Sequence, residues 1–528
     1  MASERIMFTR RASGLTRELT WWDVFIFCIA GPAASGINFF SVNAIADYPG
    51  VDMGLAFVIG ILCFLPLMVC LAMTTVAMPR SGSMYITISR VLGPTMGFFA
   101  GWMFFVGYGI VIGFLGCIVT SIIGSGFVLV GHAAAMPSLL DLGGFLTSTN
   151  GAVAGGIIWT LIFWAVTRAG IKSVKWAMRI MFIIPFITTV AAVLVFLGVG
   201  PGGAPAAVDA TWGAGTFQAV IDAAKAAGWS PPAFSMESTF TAFGYVVVWA
   251  YVAVEAISYA GGEIKTPKLS VVKGYVLGTL AVGIFYSIIA YSVHYALGQF
   301  IPAYDFLNDN APDVLAEVMP GAPSPSVPFY AATLLGPKML WLGLAIVVCA
   351  GLWFANSMLP VFLANSRLAF SMAMDRAFPE ALADVDVKRG APTWATHLTG
   401  FVGLFGVLVY LVPALSAMLG ILNITTLFPF WLYGLAAMLL PYLKPDIYEL
   451  SALKGRVAGI PAVSILGFFT FLVGMFFVIF SIMPFDMTIM MVMLLVMGIG
   501  YAIYLGQIAK CKRAGIDIER IYSVIPPE

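Results

Sequence analysis

One carboxylate stands inside an otherwise apolar stretch, Phe243-Gly244-Tyr245-Val246-Val247-Val248-Trp249-Ala250-Tyr251-Val252-Ala253-Val254-Glu255. An acid isolated in hydrocarbon costs about 2.5–3.5 kcal/mol, so Glu255 reads as a chemical group that titrates, bonds freed backbone or pairs with a cation. A second stretch, Gly31-Pro32-Ala33-Ala34-Ser35-Gly36, interrupts another apolar run. Pro32 has no N–H and its ring crowds the carbonyl of Cys28, while Gly31 and Gly36 remove the side-chain cost of unwinding. Unpaired backbone groups cost roughly several kcal/mol in lipid, so such a break persists where it lines a cavity or holds a ligand. A plain proline kink needs neither the serine nor the two glycines. Hydrolytic and metal chemistry find little support: His132, His294 and His397 are far apart in sequence, and neither an HExxH nor a GxSxG stretch occurs. The six cysteines show no CxxC spacing and read as small packing residues. No cofactor or metal is expected. A membrane enzyme is therefore the weaker class, and a channel would need a repeated filter or ring-forming element that the sequence does not offer.

The elements that must position these residues follow from composition. Of 528 residues 61% are hydrophobic and 10% charged, with a mean hydropathy of +0.99, far outside the balance of a soluble domain. Crossing a hydrocarbon core of about 30 Å takes roughly 20 apolar residues as helix, and long apolar runs recur where a membrane barrel would alternate. The expectation is an all-α integral membrane protein of about twelve transmembrane helices: 21–47, 54–78, 97–130, 151–168, 176–199, 239–261, 274–298, 337–365, 394–412, 415–443, 459–483 and 486–509. Placing the N-terminus in the cytoplasm sorts 24 of the 26 Lys and Arg residues to that side and leaves Lys225 and Lys338 outside. Segments 1–20 and 510–528 are then cytoplasmic, 21–443 forms a ten-helix core, and 444–509 adds two further helices. The outer loops 200–238, with a surface helix over 216–227, and 299–331 read as covers or linkers. The first ten residues lack the apolar core of a signal peptide. A net charge of +1 spread over the inner loops implies no nucleic-acid partner. Broken helices at corresponding positions five spans apart point to a transporter with inverted repeats and a midplane site.

Four stretches in order carry a family resemblance. Pro79-Arg80-Ser81-Gly82-Ser83-Met84-Tyr85 leads to Arg90-Val91-Leu92-Gly93-Pro94 and Gly97-Phe98-Phe99-Ala100-Gly101-Trp102; Ala34-Ser35-Gly36-Ile37 lies in the first span; Glu255 precedes Glu263-Ile264-Lys265-Thr266-Pro267-Lys268; and Ser366-Arg367-Leu368 precedes Asp375-Arg376-Ala377-Phe378-Pro379. Over roughly residues 15–440 the chain resembles the amino acid–polyamine–organocation transporters. The resemblance implies a leucine-transporter-type 5+5 inverted repeat with broken helices 1 and 6, and secondary transport of an amino acid or related amine by alternating access, as uptake or exchange, in the plasma membrane. It further implies that the N–H groups of Ser35, Gly36 and Ile37 receive the substrate carboxylate. Carbonyls near Pro32 and Ala33, with those of Trp249 and Val252, would receive its ammonium, Ala34 and Ala253 also belong to the implied substrate site, and Tyr108, Phe104, Trp249 and Tyr251 would be aromatic walls. Glu255 is the candidate coupling group for H+. Asn356 and Ser357 fall where sodium-coupled relatives place ligands, which makes Na+ the alternative coupling ion; a facilitative permease of the same fold needs neither. In three respects the chain departs from the pattern, with Ala34 in place of the first glycine of the first-helix motif, Asn38 following that motif and Pro185 where some relatives carry a helix-5 lysine. Nothing in the sequence names the substrate or fixes an oligomeric state.

Overall fold

The chain folds as an all-α membrane protein, described by a computed structural model over residues 14–411, 417–451, 454–482 and 487–525. Most of the expected N-terminal segment, residues 1–13, lies outside that description. The helices, in chain order, are α1 (Trp21–Ala30), α2 (Met53–Ala77), α3 (Pro94–Ala133), α4 (Thr149–Arg168), α5 (Ile171–Trp212), α6 (Met236–Ala242), α7 (Pro267–Leu297), α8 (Leu340–Met374), α9 (Thr393–Leu411), α10 (Ala417–Leu443), α11 (Ala462–Ile482) and α12 (Met487–Arg513). Among the described residues ten helices are long and apolar enough to cross a hydrocarbon core. With the turns Ala33–Ser35 and Gly36–Phe40, α1 makes an eleventh crossing, bent by 52°.

The expected sixth span, 239–261, is where the count departs from twelve. There α6 runs on through a π turn, Phe243–Val247, and a last α turn, Val248–Tyr251, then stops. From Met236 to Tyr251 that helix spans roughly 24 Å at 1.5 Å per residue, short of the core thickness. Beyond it the chain continues through two 3-10 turns, Ala256–Tyr259 and Gly261–Glu263.

Helices five apart in sequence pack on one another: α2 on α7, α3 on α8 and α4 on α9. Matching exchanges follow, with α1 on α7 answered by the sixth segment on α2, and α5 on α8 answered by α10 on α3. That is the contact pattern two five-helix repeats produce when each buries its apolar stripe against the other. The added helices lean on this core, α11 against α10 and α2, α12 against α10 and α3.

Both ends of the described chain lie on one face, together with three of the four motif stretches, those around Ser81, Glu263 and Asp375. Leu19 pairs with Ile264, Ser81 with Ala260, and the tail residue Tyr522 brings its hydroxyl to 3.2 Å from that of Tyr85. Two buried ion pairs tie this face together, Arg90 with Asp375 and Arg367 with Glu263. Partly exposed pairs join Glu18 to Lys172, Lys175 and Lys265, and Asp23 to Arg179 at 2.7 Å.

The opposite face is more ordered than a pair of linkers. After α5, a helix forms at Thr216–Ala226, and the stretch expected as the second loop holds helices Phe300–Asn310, Pro312–Val318 and Val327–Leu335. Phe300, Ile301, Tyr304 and Leu307 bury one side of the first of these, which carries Asp305 inward. The Asp305 carboxylate accepts the N–H groups of Ile45 and Ala46, both at 2.9 Å, and so ties this cap to the chain just past the broken first span. Burial, with smaller contributions from Asp309 and Asp47, outweighs those two donors and pushes its pKa up to about 7. An aspartate in the unfolded chain titrates near 3.9, so the folded protein binds the proton more tightly, and stability declines as pH rises from about 4 to about 7. Thermal unfolding across that window should show the decline, and Asp305→Asn should flatten it; an unchanged slope in the variant would remove Asp305 as the cause.

Candidate functional site

The two helix breaks meet. Gly31 donates its N–H to Phe27 at 3.0 Å, closing the last turn of α1, and Pro32 cannot continue the ladder. The freed carbonyl of Ala30 receives the Ser357 hydroxyl from α8 at 2.9 Å. A side chain at Gly31 would strike the Ala253 carbonyl, so glycine is what allows the first break to rest against the second. Ala253 itself holds φ at 77°, a conformation an L-residue adopts at a cost of about 1–2 kcal/mol. Around it, helix gives way to extended backbone at Val252. Two tyrosines secure this segment from behind: Tyr251 donates to the Phe57 carbonyl at 2.6 Å, and Tyr286 to the Ala250 carbonyl at 2.8 Å.

Between the breaks lies a cavity of about 520 Å³, a size suited to a small ligand. Seven of the residues expected at the site line it: Pro32, Ala34, Ser35, Tyr108, Trp249, Val252 and Ala253; Ser357 joins them. Ala33, Gly36 and Ile37 do not, and all three are buried in packing. A Cβ at Gly36 would stand 2.6 Å from the Tyr286 ring, so this glycine admits α7, and its N–H already bonds the Ala33 carbonyl. The amides opening the Ala33–Phe40 turns are thus those of Ala33, Ala34 and Ser35, where a helix start leaves donors unpaired.

The rest of the wall comes from residues with no special signature. Val111, Leu115 and Ile118 continue from Tyr108 along one face of α3 at helical spacing, Phe114 stands beside them, and Phe39, Phe354, Val361 and Leu422 close the other sides. Projecting the helical period forward from Tyr108 finds the α3 stripe; the others look like ordinary core. Asn43 and Thr426 are the remaining polar groups among the described lining residues, and the Asn43 amide oxygen has no hydrogen-bond partner among the described residues. Among the described residues no Asp, Glu, Lys, Arg or His side chain lines the cavity. Toward the capped face, Phe39 and Ile118 also border a second cavity reaching Ser121, Ser125, Ser324 and Tyr410.

Glu255 is fully buried and lies behind the wall, reached through Tyr108, whose hydroxyl donates to one carboxylate oxygen; the other has no hydrogen-bond partner among the described residues. Phe104 stacks on Tyr108 at 3.9 Å and on Tyr259 at 4.4 Å. Asn356 is fully buried outside the cavity with both amide atoms unpartnered, while the Ser357 hydroxyl is donated to carbonyls of Ala30 and Trp353. At Pro185, the helix-5 position, the carbonyl accepts Thr189, which in turn accepts Trp353 Nε1 at 2.9 Å. Among the described residues no cluster of His, Cys, Asp or Glu is placed to hold a metal ion.

Comparison with known proteins places this geometry in context. The family described as amino acid permease matches residues 19–502. A branched-chain amino acid permease of Bacillus subtilis (strain 168) is 25% identical over 476 residues, covering 87% of this chain and 88% of the relative. A methylthioribose transporter of the same organism is 24% identical over 470 residues, covering 88% of each.

Proposed function

The chain belongs to the amino acid permease family, and from that premise we propose that it carries neutral amino acids with apolar side chains across the cell membrane by alternating access, with proton-linked uptake. The observation that carries the substrate class is a ligand-sized cavity between two helix breaks whose described lining residues include no charged side chain. The substrate carboxylate sits at the amides of Ala33, Ala34 and Ser35, drawn by unpaired donors and the positive end of the short helix. Its ammonium is received by carbonyls released at Pro32 and Val252. The side chain then occupies the pocket of Val111, Leu115, Ile118 and Phe354, where a full charge would meet no partner and bear its desolvation uncompensated. A relative named for branched-chain amino acids and another named for a thioether sugar agree with an apolar end to the ligand.

Glu255 serves as the coupling group, protonated and released as the site turns from one side to the other, with Tyr108 relaying its state to the cavity. Sodium is the less favoured ion because Ser357 already donates its hydroxyl to the carbonyl a cation would need. Both termini are cytoplasmic, following the basic residues. The closed, ion-paired face is then the inner one, and the second cavity is an outer vestibule.

A ligand panel tests the substrate class directly. At about 100 times its dissociation constant, a true substrate should stabilise the purified protein by about 2.7 kcal/mol. Leucine, isoleucine, valine and methionine should raise the unfolding midpoint, whereas lysine, arginine and glutamate should not. Stabilisation by the charged amino acids alone would overturn the assignment.

A further inference from the structure

On the flank of the helix core, at the capped face, a pocket of about 380 Å³ is set between the start of α2, the end of α7 and the connecting chain at 229–234. Three aromatic rings, Trp229, Phe234 and Tyr291, line it together with Asp52, and among the described residues no Lys or Arg does. The connecting chain is pinned in place: Ser235 donates its N–H to the Gly50 carbonyl at 2.8 Å, and Asp52 donates its own to the Thr239 hydroxyl at 3.0 Å. Gly50 holds φ at 81°, and a Cβ there would strike the Ala233 carbonyl, so glycine is what lets the two segments close on each other. One Asp52 oxygen caps α2 by accepting the Leu55 N–H at 2.9 Å. The other lies 3.5 Å from the Tyr291 hydroxyl, too far for a strong bond, so much of the carboxylate charge is left to a ligand. His294, also in the lining, turns Nε2 to the Ser41 carbonyl at 2.9 Å.

The Tyr291 ring also borders a second, largely apolar groove of about 470 Å³. Val58 of α2, Leu197 of α5, and Ile284 and Ile288 of α7 line this groove, and all four are exposed. A Cβ at Gly54 would stand 2.4 Å from the Tyr291 ring, so that glycine lets the ring lie against α2 where pocket and groove adjoin. From Tyr291 to Ile284 the groove runs roughly 10 Å along α7, at 1.5 Å per residue. Exposed apolar side chains on a membrane helix face lipid tails, and Tyr and Trp gather at headgroup level. The pocket is therefore at the depth of headgroups and the groove at the depth of tails.

We infer that the pocket and groove together hold one phospholipid whose headgroup ends in an ammonium, with a tail along the groove and the ammonium among the three rings against Asp52. Charge complementarity selects the headgroup. Ring faces attract a cation and Asp52 supplies the negative charge, whereas an anionic headgroup would meet that carboxylate with nothing basic in the lining to offset it. The groove selects a lipid, because a free amine fills the pocket and leaves the adjoining groove unused. None of these residues lines the substrate cavity, so the site is separate from it.

Native mass spectrometry of the delipidated full chain, titrated with phosphatidylethanolamine or with phosphatidylglycerol of the same acyl chains, tests the assignment. The wild type should retain one phosphatidylethanolamine about fivefold more tightly than phosphatidylglycerol, the scale of a partly exposed ion pair with a cation–π contact. Asp52→Asn removes the charge and keeps a good helix cap, so its lipid-free unfolding midpoint should match the wild type's while the preference disappears. Ile288→Trp fills the groove and should weaken retention of phosphatidylethanolamine, and free ethanolamine at millimolar concentration should not displace the lipid. Equal retention of the two lipids by the wild type, or an undiminished preference in Asp52→Asn, overturns the site. Displacement by free ethanolamine, with Ile288→Trp retaining lipid as the wild type does, assigns the pocket to a soluble amine and overturns the lipid.

Discussion

Glu255→Gln should abolish proton-driven accumulation while substrate exchange survives. Glutamine keeps the size of the side chain and can still accept the Tyr108 hydroxyl, so the wall of the cavity stays in place. It cannot gain or lose a proton, so a pH gradient has nothing to act on. Accumulation in proteoliposomes should fall to the equilibrium level set by substrate alone, and the pH dependence of transport should disappear. Two other roles make different predictions. A carboxylate that paired with a cationic substrate would, when lost, depress affinity for cationic ligands only; its position behind Tyr108, outside the uncharged lining, argues against that. A protonated glutamic acid that only bonds the unwound backbone would leave accumulation and its pH profile as in the wild type, and that outcome would end the coupling role.

The features that could be read in the sequence are those with a local physical cause. Gly31-Pro32 interrupts a helix for a local reason, and an acid at position 255 is conspicuous against its apolar neighbours, so both breaks that border the cavity were legible one residue at a time. The second glycine carries a signal of another kind: Gly36 shares the flexibility of Gly31 and admits the close approach of Tyr286, a partner 250 residues away that no local pattern names. The sixth span could be recognised as unusual, yet its helix stops at Tyr251, because the length of an unwound segment depends on what its freed groups meet. The α3 stripe of Val111, Leu115 and Ile118 was hidden for another reason. Apolar residues at helical spacing are the same whether they face a neighbour, lipid or a ligand, and the cavity decides which.

The motif residues carry a related lesson, since their spacing announces a family without explaining itself. In the fold, Arg90 of one motif meets Asp375 of another, and Glu263 meets Arg367, joining segments 285 and 104 residues apart. Each pair is fully buried on the face that holds both ends of the described chain.

Arg367→Leu should therefore be among the most destabilising single changes in the protein. The guanidinium meets Glu263 with two parallel bonds, Nε at 2.9 Å and Nη2 at 2.8 Å, and its remaining nitrogen reaches the Ser366 hydroxyl at 3.3 Å. Both side chains are wholly buried, so neither ion has water to fall back on. Removing one partner of such a pair costs about 3–5 kcal/mol, because the charge left behind is buried and uncompensated. The backbone carbonyl of Glu263 also receives the N–H groups of Glu18 and Leu19, at 2.9 and 3.0 Å, so the loss extends to the N-terminal segment that seals this face. Replacing both members tests the cause. An apolar pair of similar volume is often neutral relative to a buried ion pair, so Glu263→Leu combined with Arg367→Leu should recover most of the stability that Arg367→Leu loses. Unfolding midpoints in detergent for the two single variants and the double variant give the cycle. If the double variant is as unstable as the sum of the singles, the pair is not what holds the α8 side of this face to the end of the sixth segment. Recovery of stability would separate folding from gating. The double variant, folded but without its ionic tie, should then expose cysteines placed at Ser258 or Ser83 to thiol reagents from the closed side more readily than the wild-type background does.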